Sequence, residues 1–159
     1  MTPDRARRLE NIVLDDGPVI RRSREVERER EVAVFDLLEA NDFALVGGPP
    51  GPYSVTIGIE ENRLVFDVRD SQGAALERVR LSLAPFRGIV RDYFTLCEAY
   101  YEAIKTASLA RIEAIDMGRR SMHDEGAELL RERLADAIEI DADTARRLFT
   151  LVCVLHVRG

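Results

Sequence analysis

The residues best suited to recognition chemistry lie between Asp116 and His123. In this segment Arg119 and Arg120 stand three and four positions after a carboxylate, and a histidine follows one helical turn later. A guanidinium beside a carboxylate suits the binding of a second carboxylate or a phosphate. The histidine is the member of the group whose usual pKa lies near neutral pH, so binding could depend on pH. The candidate binding residues are Asp116, Arg119, Arg120 and His123.

A structural interpretation of the same residues stays open. Arg119 continues the apolar stripe of its segment and could pair with a carboxylate beneath a sheet, with Asp116 or with the C-terminal helix. Arg120 could pair with Asp124 in solvent. Gly118 and Gly126 interrupt a good helix where these polar side chains concentrate. Each glycine costs a helix about 1 kcal/mol against alanine, so a kink, a close helix–helix approach or a binding role is needed to explain them.

Two further arginines, Arg87 and Arg91, fall in the first turns of a helix that follows Pro85. The N-terminal end of a helix disfavours cations, so a carboxylate, an acidic partner or a phosphate group nearby would account for them. We expect a carboxylate supplied by the first helix or by a strand turn. Both arginines therefore join the candidate binding residues.

Catalytic chemistry has little support elsewhere in the chain. His123 and His156 are the only histidines and neither stands in HExxH or ExxH spacing, so we predict no metal site and no cofactor. Glu98 and Glu102 lie one turn apart on a polar helix face, which is typical of solvated side chains. Serine does not occur in a GxSxG context, and neither cysteine has an evident base. We predict no catalytic residues.

Composition indicates a globular domain. The 159 residues are 46% hydrophobic and 33% charged, and a chain of this size can bury roughly 70% of its unfolded surface. The net charge of −6 makes general binding to nucleic acid unlikely on electrostatic grounds. The longest apolar run is far short of the ~20 residues of a membrane span, and no signal-peptide core is present, so we expect a cytoplasmic protein. Cys97 and Cys153 lie in apolar stretches and are predicted to be buried thiols.

The helix predicted over residues 86–105 organises the rest of the chain. Its apolar residues recur every three or four positions for more than five turns, and Pro85 suits its first turn. We expect Phe94 to be buried between this helix and a sheet.

Three more helices complete the prediction. The run 21–31 alternates in charge and is interpreted as the solvated face of a first helix rather than a nucleic-acid or membrane surface. A long helix over 108–134 has Ser108 as its N-cap, and a buried final helix is capped by Asp141 or Asp143.

Alternating segments predict the sheet. Residues 9–14 form an edge strand, and four segments joined by short turns form an antiparallel meander. These four segments are 43–46, 53–59, 64–68 and 76–83. The glycine- and proline-rich run 47–52 is a hairpin loop, because no Lys-Ser/Thr follows it and proline lacks the N–H that a phosphate loop donates. The apolar face of the sheet requires a cover, which the core helix supplies.

Four strings of the chain resemble uncharacterised protein family 0262. They are NDFALV at 41–46, SLAPFR at 82–87, IEAIDMGRR at 112–120 and DTARRLFTLVCVLH at 143–156. The similarity runs from about residue 19 to residue 159, while the first twenty residues and the loop at 47–52 look individual. The family is found chiefly in alphaproteobacteria, so the resemblance implies a bacterial cytoplasmic protein. It implies no activity and no site residues.

The sequence thus predicts an α+β fold, with residues 1–20 as an N-terminal arm or edge strand and 21–159 as a single domain. It favours a non-enzymatic partner-binding or regulatory protein, with a protein partner or a second copy as the partner. The alternative is a binder of a small anionic ligand, or an enzyme, with an arginine and histidine pocket. A flat apolar patch would favour the first and a concave pocket joining Arg119 to His123 the second.

Overall fold

Segments that alternate between apolar and polar residues form the strands of a four-stranded sheet. Helices cover one face of this sheet. The computed structural model describes residues 5–15 and 24–156. Its strands are β1 (Leu9–Asp15), β2 (Phe43–Leu45), β3 (Tyr53–Glu60), β4 (Arg63–Arg69), β5 (Ala75–Ser82) and β6 (Ile138–Ile140). Its helices are α1 (Arg24–Glu39), α2 (Ala84–Thr106), α3 (Leu109–Leu134) and α4 (Ala142–His156), after a 3-10 turn at Arg5–Arg7. The predicted α+β class and single domain are confirmed.

The large sheet has the strand order β1-β3-β4-β5. Its β3, β4 and β5 strands form the predicted antiparallel meander, and β1 pairs with β3 in parallel at the edge. The β3–β4 turn contains Glu61 and Asn62, both with the positive φ that a tight hairpin requires. The strand predicted at 9–14 is therefore confirmed.

The strand predicted at 43–46 exists, but its predicted place in the meander was wrong. Strand β2 leaves the meander and pairs antiparallel with β6 in a separate two-stranded sheet, where Phe43 faces Ile140. The run 47–52 is consequently a connection between two sheets rather than a hairpin loop. The side chains of Phe43 and Leu45 are buried on this small sheet, which explains why the segment alternates as the meander strands do.

The core lies between the inner face of the large sheet and the helices. On α2, Phe86, Val90, Tyr93 and Cys97 belong to it, whereas Phe94 is only half-buried, so the expected burial of Phe94 is corrected. Both cysteines are buried and free, as predicted.

Side-chain hydrogen bonds define where α3 and α4 begin and link the end of α1 to β1. Ser108 accepts a hydrogen bond from the N–H of Arg111 as the predicted N-cap of α3, and Asp141 accepts one from the N–H of Thr144 at the start of α4. Asn41 accepts from the N–H of Leu9 at 2.8 Å and donates to its carbonyl at 3.0 Å. That side chain ties the end of α1 to β1. Residues 21–23 of the predicted charged run lie outside the described residues.

Among the described helices, none combines the length and apolar character needed to cross a membrane.

Candidate binding site

A groove of about 520 Å³ opens between α1, α2 and α4. Its volume falls in the range of small-ligand and side-chain pockets. The residues that line it are Glu25, Arg28, Glu29, Val32, Ala33 and Asp36 from α1, Tyr93 and Tyr101 from α2, and Arg147 and Thr150 from α4. The α1 residues recur at helical spacing along one side of that helix, so the groove runs lengthwise beside it.

Glu29 occupies the most unusual environment in the groove. Burial raises the pKa of its carboxyl group, and the positive charge of Arg119 opposes that shift. The carboxylate of Glu29 has no hydrogen bond and no ion pair to any residue in the described part of the chain. A half-buried carboxylate that lacks a close partner is costly to keep ionised. Glu29 is therefore the group in the groove most in need of an external donor.

Two tyrosines line the groove together with this carboxylate. Burial raises the pKa of Tyr93 and of Tyr101, and in both cases the negative charge of Glu29 raises it further. The effect places both phenols within electrostatic reach of Glu29. They remain protonated near neutral pH, so they offer aromatic faces and O–H donors rather than charges.

The predicted constellation lies beside the groove, on α3. A terminal nitrogen of Arg119 donates to one oxygen of Asp116 at 2.5 Å, and Nε of Arg120 contacts its other oxygen at 3.0 Å. The guanidinium of Arg119 also lies over the ring of Tyr100, 4.1 Å from its centroid. Asp116 thus holds both arginines, and neither lines the groove.

Of the partners considered for Arg119, Asp116 of the same helix is the one that the structure shows. The partner expected for Arg120 is corrected, because Arg120 pairs with Asp116 rather than with Asp124. The carboxylate of Asp124 lies 3.2 Å from Nε of Arg146, so Asp124 forms its ion pair with α4. Whether the constellation also binds a ligand stays a prediction.

His123 is partly buried between two aromatic rings at the edge of the core. Its ring centroid lies 5.2 Å from those of Tyr93 and Phe149. Its Nε2 is 2.8 Å from the hydroxyl of Thr150, which donates to the carbonyl of Arg146 at 3.2 Å. The hydroxyl therefore accepts from Nε2–H, which fixes the tautomer. Burial, aided by the charge of Arg146, lowers the pKa of His123 to about 4, so the expected charge change near neutral pH is wrong.

The protein should lose stability in acid through His123. Its pKa is about 4 when folded and near 6.5 when unfolded, so between these values the unfolded chain binds more protons. The stabilising contribution of the neutral ring is present above about pH 6.5 and is lost as the pH falls towards about 4. Urea denaturation of the wild type and His123→Gln across this range should show a weaker pH dependence in the variant. Because Glu29 titrates in the opposite sense, the difference between the two proteins is the informative quantity, and parallel curves would contradict the assignment.

Arg87 and Arg91 lie away from these residues. Arg87 donates to the side-chain oxygen of Asn62 at 3.0 Å, so a strand turn supplies its partner as expected, although the partner is a carboxamide and not a carboxylate. Nε of Arg91 lies 3.5 Å from a carboxylate oxygen of Asp92, and 75% of the Arg91 side chain is exposed. The structure does not bring either arginine to the groove, and their binding of an anion stays a prediction.

The sequence analysis did not identify Glu29, Tyr93 and Tyr101 as site residues. Glu29 belongs to the run interpreted as a solvated face, and both tyrosines belong to the apolar stripe of α2. One signal could have found Glu29: it stands four and eight residues before Ala33 and Leu37, which are buried. That spacing places a carboxylate on the margin of a buried stripe.

The two cysteines do not supply a reactive thiolate. Burial raises the pKa of Cys97 and raises that of Cys153 well above its usual value, so both stay as weakly nucleophilic thiols. In residues 5–15 and 24–156, no group of three or more His, Cys, Asp and Glu could hold a metal ion. The arrangement around Glu29 can bind a partner's donor groups, and that is the chemistry it offers.

The fold defines a small α+β protein with an open groove between helices. The chain belongs to the uncharacterised protein family UPF0262, whose family model matches residues 6–158. It is 55% identical to a UPF0262 protein of Rhodospirillum rubrum over 95% of this chain and 93% of that protein. It is also 54% identical to one of Azorhizobium caulinodans, over 96% and 95%. A third relative, from Phenylobacterium zucineum, is 55% identical over 96% and 94%. No solved structure matches the chain.

Proposed function

We propose that the protein is a non-enzymatic binding protein whose groove between α1, α2 and α4 receives a basic side chain from a segment of a protein partner. The observation that carries the proposal is the carboxylate of Glu29, half-buried and without an ion pair in the described residues. A cation placed there would replace the hydration that burial removes. The ionised form of Glu29 would then be stabilised by the partner.

The tyrosines support a cation at the same point. Tyr93 and Tyr101 line the groove and lie within reach of the charge of Glu29. An aromatic face beside a cation contributes about 0.5–1 kcal/mol at exposed sites and more where water is excluded. A guanidinium or ammonium group would therefore gain from both the carboxylate and the rings.

The length of the groove favours a chain segment over a compact ligand. Glu25 and Asp36 stand at its two ends on α1, and eleven residues of helix span roughly 16 Å. An extended peptide covers that distance with about five residues. Arg28 and Arg147 also line the groove, so acidic positions flanking the basic side chain would be accommodated.

A matched pair of variants tests the proposal. Glu29→Gln keeps the shape of the side chain and removes its charge, so it should weaken binding of n-butylguanidinium by about 10-fold or more. Binding is followed by amide chemical shifts, which should change in the groove and saturate. Glu98→Gln, an exposed change on the outer face of α2, should bind as the wild type does. Glu29→Gln should also melt at a higher temperature near pH 7, because it removes a carboxylate that burial penalises.

Other outcomes would contradict the proposal. Saturable binding of butyrate in the groove, with no response to butylguanidinium, would favour the small anionic ligand. Equal binding by the wild type and Glu29→Gln would remove Glu29 from the site. A displayed peptide library selected on the wild type should be enriched for arginine or lysine at one position, and Glu29→Gln should lose that enrichment.

A further inference from the structure

The outward face of α3 has no packing partner in the described part of the chain. Met117 lies at its centre with 72% of its surface exposed, one of the most exposed large apolar residues described. Ala110, Ala114 and Ser121 continue the same face and are exposed as well. Single exposed apolar residues are common on protein surfaces, so the charges around Met117 decide what this face can bind.

Packing on the opposite side of α3 establishes which face is free. A Cβ added at Gly118 would lie 3.8 Å from the methyl groups of Leu96 of α2, and Arg119 stacks on Tyr100 of the same helix. Gly126 packs directly against the ring of Phe149 of α4. Met117 points away from both neighbouring helices, because it is rotated by roughly 100° to 200° from these contacts.

Two opposite charges flank Met117 on one side of the face. Glu113 stands four residues before it and Arg120 three residues after it, and both are exposed. Glu113 forms no ion pair within residues 5–15 and 24–156. The side chain of Arg120 is 74% exposed although it contacts Asp116, so it can meet a second carboxylate. The other side of the face carries the small residues Ala114 and Ser121.

We propose that a second copy of this chain docks on this face, with the two α3 helices antiparallel and the two-fold axis at Met117. In that arrangement Glu113 lies beside Arg120 of the partner subunit, with an axial offset of about 1.5 Å, and the symmetric pair forms at the other end. Ala114 lies beside Ser121 of the partner subunit, which permits close approach of the helices. The apolar side chain of Met117 meets its own copy at the centre.

The charge pattern selects a second copy and an antiparallel direction. A parallel pair in register would place Glu113 against the same residue of the partner subunit and repel it. In the antiparallel pair, Glu113 of each subunit instead lies beside Arg120 of the partner subunit. Two contacts between opposite charges form, so the face is complementary to itself. The groove between α1, α2 and α4 takes no part, and the inference stands independently of the proposed function.

The contact predicts a weak, reversible dimer. One helix pair over about four turns buries less than the usual interface of a stable complex, so we expect a dissociation constant on the order of 10–100 µM. Sedimentation velocity from about 10 µM to about 1 mM should show a concentration-dependent shift from monomer to dimer.

Charge reversal gives the decisive experiment. Glu113→Arg places two positive side chains together at both ends of the dimer, and Arg120→Glu places two negative ones together. Each variant alone should dimerise at least about 10-fold more weakly than the wild type. Mixed in equal amounts, the two variants should associate with each other, because every pair across the interface is then opposite in charge. Glu98→Arg, on the outer face of α2, should dimerise as the wild type does.

The mixture separates the interface from simple unfolding, because two misfolded variants would not restore association when combined. Circular dichroism should also show that both variants keep the helical content and the cooperative melting of a folded protein, although Arg120→Glu loses the ion pair with Asp116 and should melt somewhat lower. A wild type that stays monomeric to about 1 mM would overturn the proposal. So would single variants that dimerise normally, or a mixture that associates no better than either component. Met117→Cys should form an intermolecular disulfide on mild oxidation, and failure to do so while the wild type dimerises would place the axis elsewhere.

Discussion

Phe86→Ala should lower the free energy of unfolding by about 3–5 kcal/mol. Phe86 is fully buried in the first turn of α2, in the same apolar core as Leu64 and Phe66 of the sheet. Removing its ring loses the free energy gained when the ring is transferred from water into the core. It also leaves a cavity that the rigid sheet cannot fill. Urea denaturation at neutral pH, with the free energy extrapolated to water, measures the loss.

Phe94→Ala is the matched control, since it makes the same chemical change on the same helix. Phe94 is half-buried at the edge of the core beside Tyr93, with ring centroids 5.7 Å apart. Less of its surface returns to water on unfolding, so we expect a loss of about 1–2 kcal/mol. If Phe94→Ala cost as much as Phe86→Ala, the face of α2 that packs on the sheet would be assigned wrongly.

The two phenylalanines show what periodicity can and cannot predict. The recurrence of apolar residues identified α2 and its buried stripe, but the stripe is wider than the core it faces. Phe94 is rotated by about 80° from Phe86 around the helix, whereas Tyr93 and Cys97 lie within about 20° of it. Ile104 falls on the stripe and is still 50% exposed, whereas its neighbour Ala103 is buried. Burial depends on the neighbouring elements, which local spacing does not encode.

Strand pairing was predictable only where it is local. The turns between β3, β4 and β5 are short, so their antiparallel order follows from the sequence. Strand β2 pairs instead with β6 near the end of the chain. Alternation in a three-residue strand fixes which side chains are buried and does not identify the partner. The same limit applied to β1, whose strand was predicted but whose parallel pairing with β3 was not.

The side-chain partners of the predicted residues could be predicted only in part, for a related reason. Asp116 and Asp124 both stand four residues from Arg120, so helical spacing alone could not choose between them. Asp124 pairs with Arg146 of α4, and Arg120 pairs with Asp116. The pairing thus depends on a neighbouring helix. His123 was assigned a charge change near neutral pH from its residue type. The rings that enclose it come from α2 and α4, and their burial of the imidazole lowers its pKa.

Gly126→Ala should lower the free energy of unfolding by about 3 kcal/mol, against a gain for the same change at Gly118. A Cβ at Gly126 would lie 2.1 Å from Cζ of Phe149 and within 2.6 Å of two more ring atoms. The ring cannot easily retreat, because it is fully buried and packs on His123. The close helix–helix approach expected from the glycines is thus confirmed at this position.

Gly118→Ala is the control for helix propensity. The nearest atoms to a Cβ there belong to Leu96 at 3.8 Å, an ordinary van der Waals distance. Alanine should therefore stabilise α3 by up to about 1 kcal/mol, since glycine is the poorer helix former. In the Gly126→Ala background, Phe149→Leu should cost less than it does in the wild type, because the smaller side chain relieves the clash. Additive losses in that double-mutant cycle, or a stabilising Gly126→Ala, would mean that α3 and α4 do not approach closely at Gly126.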